Sequence, residues 1–298
     1  MIYARPLREK TMPIKHVLVA LTGEVQSTSV PSCAFDLAQR FAAHVTGVDT
    51  IRNEPMYPHT AFSAVTSAYH VELAKTYDAM KRQQRDTARA AFEKARTHCG
   101  VTLAETSTGE KGASASWFDR SSLDDDPIVS LGRLADLIVL EQPEKRESIA
   151  HFNVIESAVF AARRPTLLLA QNHSELGLRG AIAWNGSAEA ADAVERALPL
   201  LANLKEVDII QVGEIRPEGI QVTSLINYLG WHELDARVHE VTDKPKSTAK
   251  LILQEAENIK SDFLIMGAYS RSPLRETVFG GVTQHMIKNA ALPVLLVH

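Results

Sequence analysis

The chain has 298 residues, 45% hydrophobic and 23% charged, a length and balance that suit about two soluble domains with enough apolar surface to bury without covalent staples. Its formal net charge of −4 supplies no global field toward nucleic acid or anionic lipid, so neither is expected as a partner. Two widely separated cysteines, Cys33 and Cys99, argue against a disulfide framework and suit a reducing cytoplasm, and no apolar run reaches the roughly 20 residues of a bilayer span.

Residues 1–12 carry Arg5, Arg8 and Lys10 without a following apolar core, so they do not read as a secretory signal. They read as a disordered arm, or as a mis-assigned start with Met12 the true one. The first regular element is an apolar strand, Ile14 to Leu21, closed by the turn Thr22-Gly23. An amphipathic helix with Ala34, Leu37, Ala38 and Phe41 on its apolar face follows, then a strand from Val45 to Thr50. The stretch Asn53 to Thr76, rich in Ser, Ala, Tyr and His, looks like an insertion, and a long charged helix is predicted from about Tyr77 to His98. Asp124-Asp125-Asp126 before Pro127 reads as a solvated loop that starts a helix. Strands at Ala135 to Leu140 and Pro165 to Ala170 close this half.

The same order then repeats. Residues 171–178 have the composition of a linker, which places the boundaries at 13–170 and 179–298. Arg179 to Trp184 is a strand, Asn185-Gly186-Ser187 a turn and helix cap, and Ala190, Ala193, Val194, Ala197 and Leu198 an apolar helix face. Val207 to Val212, Ser261 to Met266 and Pro293 to Val297 supply further strands, and Val282 to Ala290 a helix. These strands are continuously apolar, as strands covered by helices on both faces are. Alternation of strand and helix in both copies predicts an α/β protein: two tandem Rossmann-like domains, each a doubly wound, mostly parallel five-stranded sheet.

In such a sheet ligands sit beyond the carboxyl ends of the strands, where strand order reverses. Three segments of the second half converge there: the turn at Asn185, Gly186 and Ser187, the strand end at Val212, and the loop from Met266 to Thr283. Gly267 would let a ligand approach the backbone. Gly280 and Gly281 precede a helix whose unpaired N–H groups and positive dipole end suit an anion. Val282 and Thr283 open that helix, Thr283 adding a hydroxyl, and Ser270, Arg271 and Arg275 would reach phosphate or ribose from the loop. On spacing alone, the glycines equally suit a tight strand-to-helix turn.

The run Asp262 to Val297, with Met266-Gly267-Ala268-Tyr269 and Phe279-Gly280-Gly281-Val282-Thr283-Gln284-His285, resembles the carboxyl end of universal stress proteins. That family's pattern is Gly, two residues, Gly, nine residues, Gly and Ser or Thr, before a helix and a Pro-Val-Leu strand. The resemblance spans both halves apart from the leader and Asn53–Thr76. It implies an adenine nucleotide alpha hydrolase-like fold and a cytoplasmic stress-response role with bound ATP, or ADP or AMP, and Mg²⁺ accompanying the nucleotide. Gly267 takes the first glycine, Gly280 the third, and Val212 the position whose backbone reads adenine. Ser270 replaces the second glycine, Gly281 stands where Ser or Thr is usual, and Asn185 replaces an aspartate. In the first half Thr22 and Thr50 stand at the aspartate and adenine positions, and Leu140-Glu141-Gln142-Pro143-Glu144-Lys145 replaces the phosphate loop. Glu141 and Glu144 would repel phosphate, so this half is expected to pack against the other rather than bind nucleotide.

Two other functions stay open: a nucleotide-free module binding unidentified protein partners, and a slow ATPase. No GxxxxGK[ST], HExxH or GxSxG run is present, so no catalytic set is assigned. The scattered histidines show no metal spacing, and Lys244, Lys246 and Lys250 read as a solvated helix face in preference to the phosphate side of the cleft. In the family the closing strands pair across dimers. Thr166–Ala170 and Val294–Val297 therefore imply an internal pseudo-dimer, with a homodimer of tandem chains as a further option.

Overall fold

A computed structural model describes residues 13–23, 28–51, 67–106, 112–119, 126–143, 149–170, 173–202, 204, 206–215, 217–242, 247–268 and 281–298. The first half contains β1 (His16–Leu21), α1 (Ser29–Phe41), β2 (His44–Asp49), α2 (Ser67–His98), β3 (Thr102–Leu103), β4 (Ser114–Trp117), α3 (Pro127–Gly132), β5 (Leu137–Glu141), α4 (Ile149–Glu156) and β6 (Thr166–Leu169). A π-turn, Ser157–Ala161, continues α4. The second half contains β7 (Gly180–Trp184), α5 (Ala188–Leu201), β8 (Glu206–Val212), α6 (Val222–Trp231), β9 (Asp235–Val241), α7 (Thr248–Asn258), β10 (Phe263–Gly267), α8 (Gly281–Asn289) and β11 (Val294–Val297).

Among the described residues these strands form one 11-stranded sheet, ordered β3-β4-β2-β1-β5-β6-β11-β10-β7-β8-β9. The second half has the expected five strands, and the first adds two-residue β3 at the rim. Within each half all pairs are parallel, and the first strand lies centrally, so strand order reverses beside β1 and beside β7. The halves meet where β6 and β11 pair antiparallel, with Leu168 opposite Val294 and Leu167 opposite Leu295. Each closing strand is an edge of its own half yet interior to the whole sheet, and all of Thr166–Leu169 and Val294–Val297 is buried. The outer rim at β9 carries Asp235, Arg237 and Glu240, charges of the kind that discourage edge pairing.

Helices cover both faces. One core packs α1 and α5 with Val17, Val19, Ile182 and Leu295, and the other packs α7 and α8 with Leu264, Ile210 and Leu296. Alternation of strand side chains between faces produces this division. The long helix differs from expectation. It begins at Ser67, within the stretch read as an insertion, because the run from Ser67 to Thr76 contains neither Gly nor Pro to stop it. The remainder of that stretch, 53–66, lies outside the described residues.

Asp126 caps α3, its Oδ1 accepting from Ile128 N at 2.9 Å, while Oδ2 accepts from Ser157 Oγ at 2.7 Å. Among the described residues no helix is long and apolar enough to cross a membrane, and no three His, Cys, Asp or Glu side chains gather as metal ligands. Both cysteines are free thiols.

Candidate functional site

The crevice lies at the carboxyl ends of β7, β8 and β10. The turn after β7 is set by short-range chemistry: Asn185 Oδ1 accepts from Ser187 N at 3.1 Å, and Ser187 Oγ accepts from Ala190 N at 3.2 Å, capping α5. Gly186 sits at φ +72°, and its O accepts from Ile220 N at 2.9 Å. A Cβ there would lie 2.7 Å from Ile220 O, so both the turn and its neighbour require glycine. Trp184, buried just before the turn, donates its indole N–H to Ile220 O at 3.2 Å.

A cavity of about 490 Å³ opens beside this turn, within the usual size of a small-molecule pocket. Its floor is apolar, from Ala183, Ile210, Ile252 and Met266. Val212 and Asn185 line its mouth, Thr248 comes from α7, and Gly281, Val282 and Thr283 bring the first turn of α8 to its wall. An adjoining cavity of about 360 Å³ runs along Gly186, Gln211, Val212 and Gly213. The site residues Asn185, Val212, Met266, Gly267, Gly281, Val282 and Thr283 therefore share one crevice, with Gly186 beside it. Ser270, Arg271, Arg275 and Gly280 lie outside the described residues.

Two details differ from what the sequence suggested. A Cβ on Gly267 would lie 2.6 Å from Glu189 C and 2.7 Å from Ala190 N, so the close approach there is made by the first turn of α5. At Gly281, by contrast, no described residue lies within 4 Å of where a Cβ would stand, at the amino end of α8. Sequence reasoning also missed Trp184, Glu189, Thr248 and Ile252, all on the crevice wall. Glu189 is the one charged side chain among the described lining residues, and its place two residues after the Ser187 cap was the available signal.

A larger cavity, about 770 Å³, lies at the opposite, amino end of the strands among Lys250, Lys260, Glu257, Asp262 and His285. Its charges are of both signs. Lys250 is exposed and lines this cavity; Lys244 and Lys246 lie outside the described residues.

In the first half the corresponding region is crossed by α2. Gly23, at φ +66°, packs directly on the backbone of Gln84. Asp49, buried at the end of β2, accepts from Ile51 N at 3.1 Å and pairs with Arg85 at 3.7 Å. Gln142, where the phosphate loop would begin, instead donates from Nε2 to Ile287 O of α8 at 2.9 Å. Glu144 and Lys145 lie outside the described residues.

Residues 181–298 match the profile of the universal stress protein family. Among solved structures, a universal stress protein from Archaeoglobus fulgidus DSM 4304 superposes with a TM-score of 0.59 at 15% identity, covering 95% of this chain and 97% of that one. A functionally unknown protein from Pseudomonas aeruginosa PAO1 gives 0.54 at 13% identity, covering 95% and 92%. Comparison with curated proteins found no match. At such identities the structural likeness speaks for the fold alone. Residues 181–298 thus carry the match to the universal stress protein family, and the first half of the chain repeats their fold in tandem.

Proposed function

We propose that the second half binds an adenine nucleotide, ATP foremost, and that the protein acts in the cytoplasm as a nucleotide-responsive member of the stress response. The observation that carries this reading is the convergence of four separate elements on one crevice: the turn after β7, the end of β8, the end of β10 and the first turn of α8. The residues present suit the ligand. The apolar floor at Ile210, Ile252 and Met266 would accept a flat base, and Val212 offers main-chain groups for its edge. The first N–H groups of α8 have no partners within the helix, and no described residue lies within 4 Å of the Cβ position at Gly281, where an anion would approach them. Mg²⁺ accompanying the phosphates would offset the Glu189 carboxylate; the nucleotide supplies the charge that the protein reads. ADP and AMP share the base and ribose and are the natural competitors.

Gly281→Asp tests this reading in the full chain. An acidic residue at a helix amino terminus stabilises it by about 0.3–1 kcal/mol, yet would repel phosphate at the same place. Equilibrium binding of labelled ATP should therefore fall at least tenfold while thermal stability holds or rises. Saturable binding to the wild type that Gly281→Asp leaves untouched would contradict the site, and an absence of adenylate binding by the wild type would contradict the function.

A further inference from the structure

The crevice belongs to the second half, but the elements that form its wall are held from the first. Helix α8 has nine residues, from Gly281 to Asn289, a length that has little stability of its own in water. Its last-turn carbonyls need donors from elsewhere. Asn289 Nδ2 reaches back to His285 O at 2.9 Å, and Ala290 N donates to Met286 O at 3.0 Å. Ile287 O is met from across the interface by Gln142 Nε2, at 2.9 Å. Beside it, the Lys288 ammonium lies 5.2 Å from the centre of the Phe152 ring, on α4 of the first half.

A second hold acts on the other side of the crevice. Ala268, which follows Gly267 at the end of β10, donates its N–H to Val297 O and has its carbonyl 3.0 Å from His298 Nδ1. The His298 ring packs edge-on against Phe160 in the π-turn of the first half, with ring centres 4.8 Å apart. Ala268 and Gly281 are the described residues that flank 269–280. Both are therefore tied to the first half, one through His298 and Phe160, the other through α8 and Gln142.

We propose that Gln142 is a positioning residue: the first half, in place of a nucleotide site of its own, supplies the carboxyl-terminal cap that fixes α8 and so sets the amino-terminal N–H groups of α8 against the ligand. This rests on the nucleotide reading above for its consequence, though not for its geometry. A rigid helix transmits the effect: the cap and the first turn are six residues, about 9 Å, apart along one axis. The cap also has a sign. A donor or a cation suits a helix carboxyl end, and an anion opposes it.

Three full-chain variants test it by ATP affinity and by amide hydrogen exchange resolved along α8. Gln142→Met removes the donor at similar size, and should weaken ATP binding about fivefold, the usual weight of one neutral hydrogen bond. Exchange at 285–290 should quicken by a similar factor, with the β1 and β7 amides unchanged. Gln142→Glu should be worse than Met on both measures, and Gln142→Lys should restore both. Exchange in α8 that ignores the Glu, Met, Lys order overturns the proposal, as does wild-type ATP affinity in both Met and Glu variants of a chain that binds ATP. If the wild type fails to bind ATP while exchange follows that order, the nucleotide reading falls and the cap stands.

Discussion

Gly267 separates a packing role from a ligand role, because its replacement has a cost that the structure fixes. A methyl group at this position would stand 2.6 Å from Glu189 C, 2.7 Å from Ala190 N and 2.7 Å from Glu189 O. All three are main-chain atoms in the first turn of α5, so no side chain can swing aside. Ordinary carbon contacts are near 3.5–4.0 Å, and relief requires the α5 turn or the end of β10 to move by most of an ångström. Overpacking of this kind costs about 1–3 kcal/mol. At about 2 kcal/mol the midpoint falls by about 4–8 °C in a unit of 150–250 residues, and the larger sheet here places the shift near the lower figure. Gly230→Ala is the control: among the described residues its Cβ would meet nothing within 4 Å, and inside α6 alanine is favoured over glycine by about 1 kcal/mol, so no loss of stability is expected. Thermal unfolding followed by circular dichroism should therefore show Gly267→Ala lower than wild type by about 4 °C. ATP affinity should fall too, because the displaced turn carries Ser187 and Glu189 into the crevice. A Gly267→Ala protein that melts within 1 °C of wild type would refute the contact and return the glycine to a purely ligand-facing role.

The remaining predictions concern titration in the first half. His44 Nδ1 and Nε2 lie 2.9 Å from Ser114 Oγ and Ser116 Oγ, and its ring centre is 5.9 Å from that of His16. Burial, and then the nearby His16, pull its pKa below the ordinary 6.5. The unfolded chain thus takes up the proton first, and the stability contributed by neutral His44 is complete above about pH 6.5 and declines as pH falls toward the folded value. Urea midpoints measured between pH 7 and 5 should fall less steeply in His44→Gln than in wild type; parallel slopes would deny the effect. Burial, reinforced by the Asp36 charge, pushes the Cys33 thiol up to about 12, so it holds almost no thiolate at neutral pH. An aromatic disulfide reagent at pH 8 should modify Cys99 alone in the native protein and both thiols in urea. Fast native reaction of two equivalents would contradict the burial of Cys33.

Continuous apolar runs made the central strands readable: β1, β7, β10 and β11 are buried on both faces, so their sequences need no alternation. The rim was harder. Strand β9 alternates Asp235, Arg237 and Glu240 with half-buried residues, because an edge strand faces water, and nothing local distinguishes it from an amphipathic turn. The start of α2 escaped for another reason: Ser67 to Thr76 lies in a stretch rich in Ser, Ala, Tyr and His whose composition reads as an insertion. At the crevice, Asn185-Gly186-Ser187 was legible as a turn and cap because its hydrogen bonds lie within five residues. The α5 contact that requires Gly267 joins residues almost eighty positions apart, and sequence spacing carries no trace of it. Thr248 comes to the wall through long-range packing of the same kind.

The same fold, used twice, presents different surfaces at its carboxyl ends, and α2 explains how. In both halves the residue after the first strand's turn, Gly23 or Gly186, is covered by the segment that follows the second strand. In the second half that segment is Ile220, two residues before α6 begins, so the chain turns away and leaves the crevice open. In the first half it is Gln84, the eighteenth residue of a 32-residue helix. The seventeen residues before it extend about 25 Å past that contact at 1.5 Å each, and Arg85 is tied to the buried Asp49 at the end of β2. Glu141 stands in register with Leu169 where Gly267 stands with Val297, and Gln142 is turned to the neighbouring helix instead. The sheet repeats in both halves, while the family profile matches residues 181–298, the half whose helix α8 accepts the Gln142 hydrogen bond.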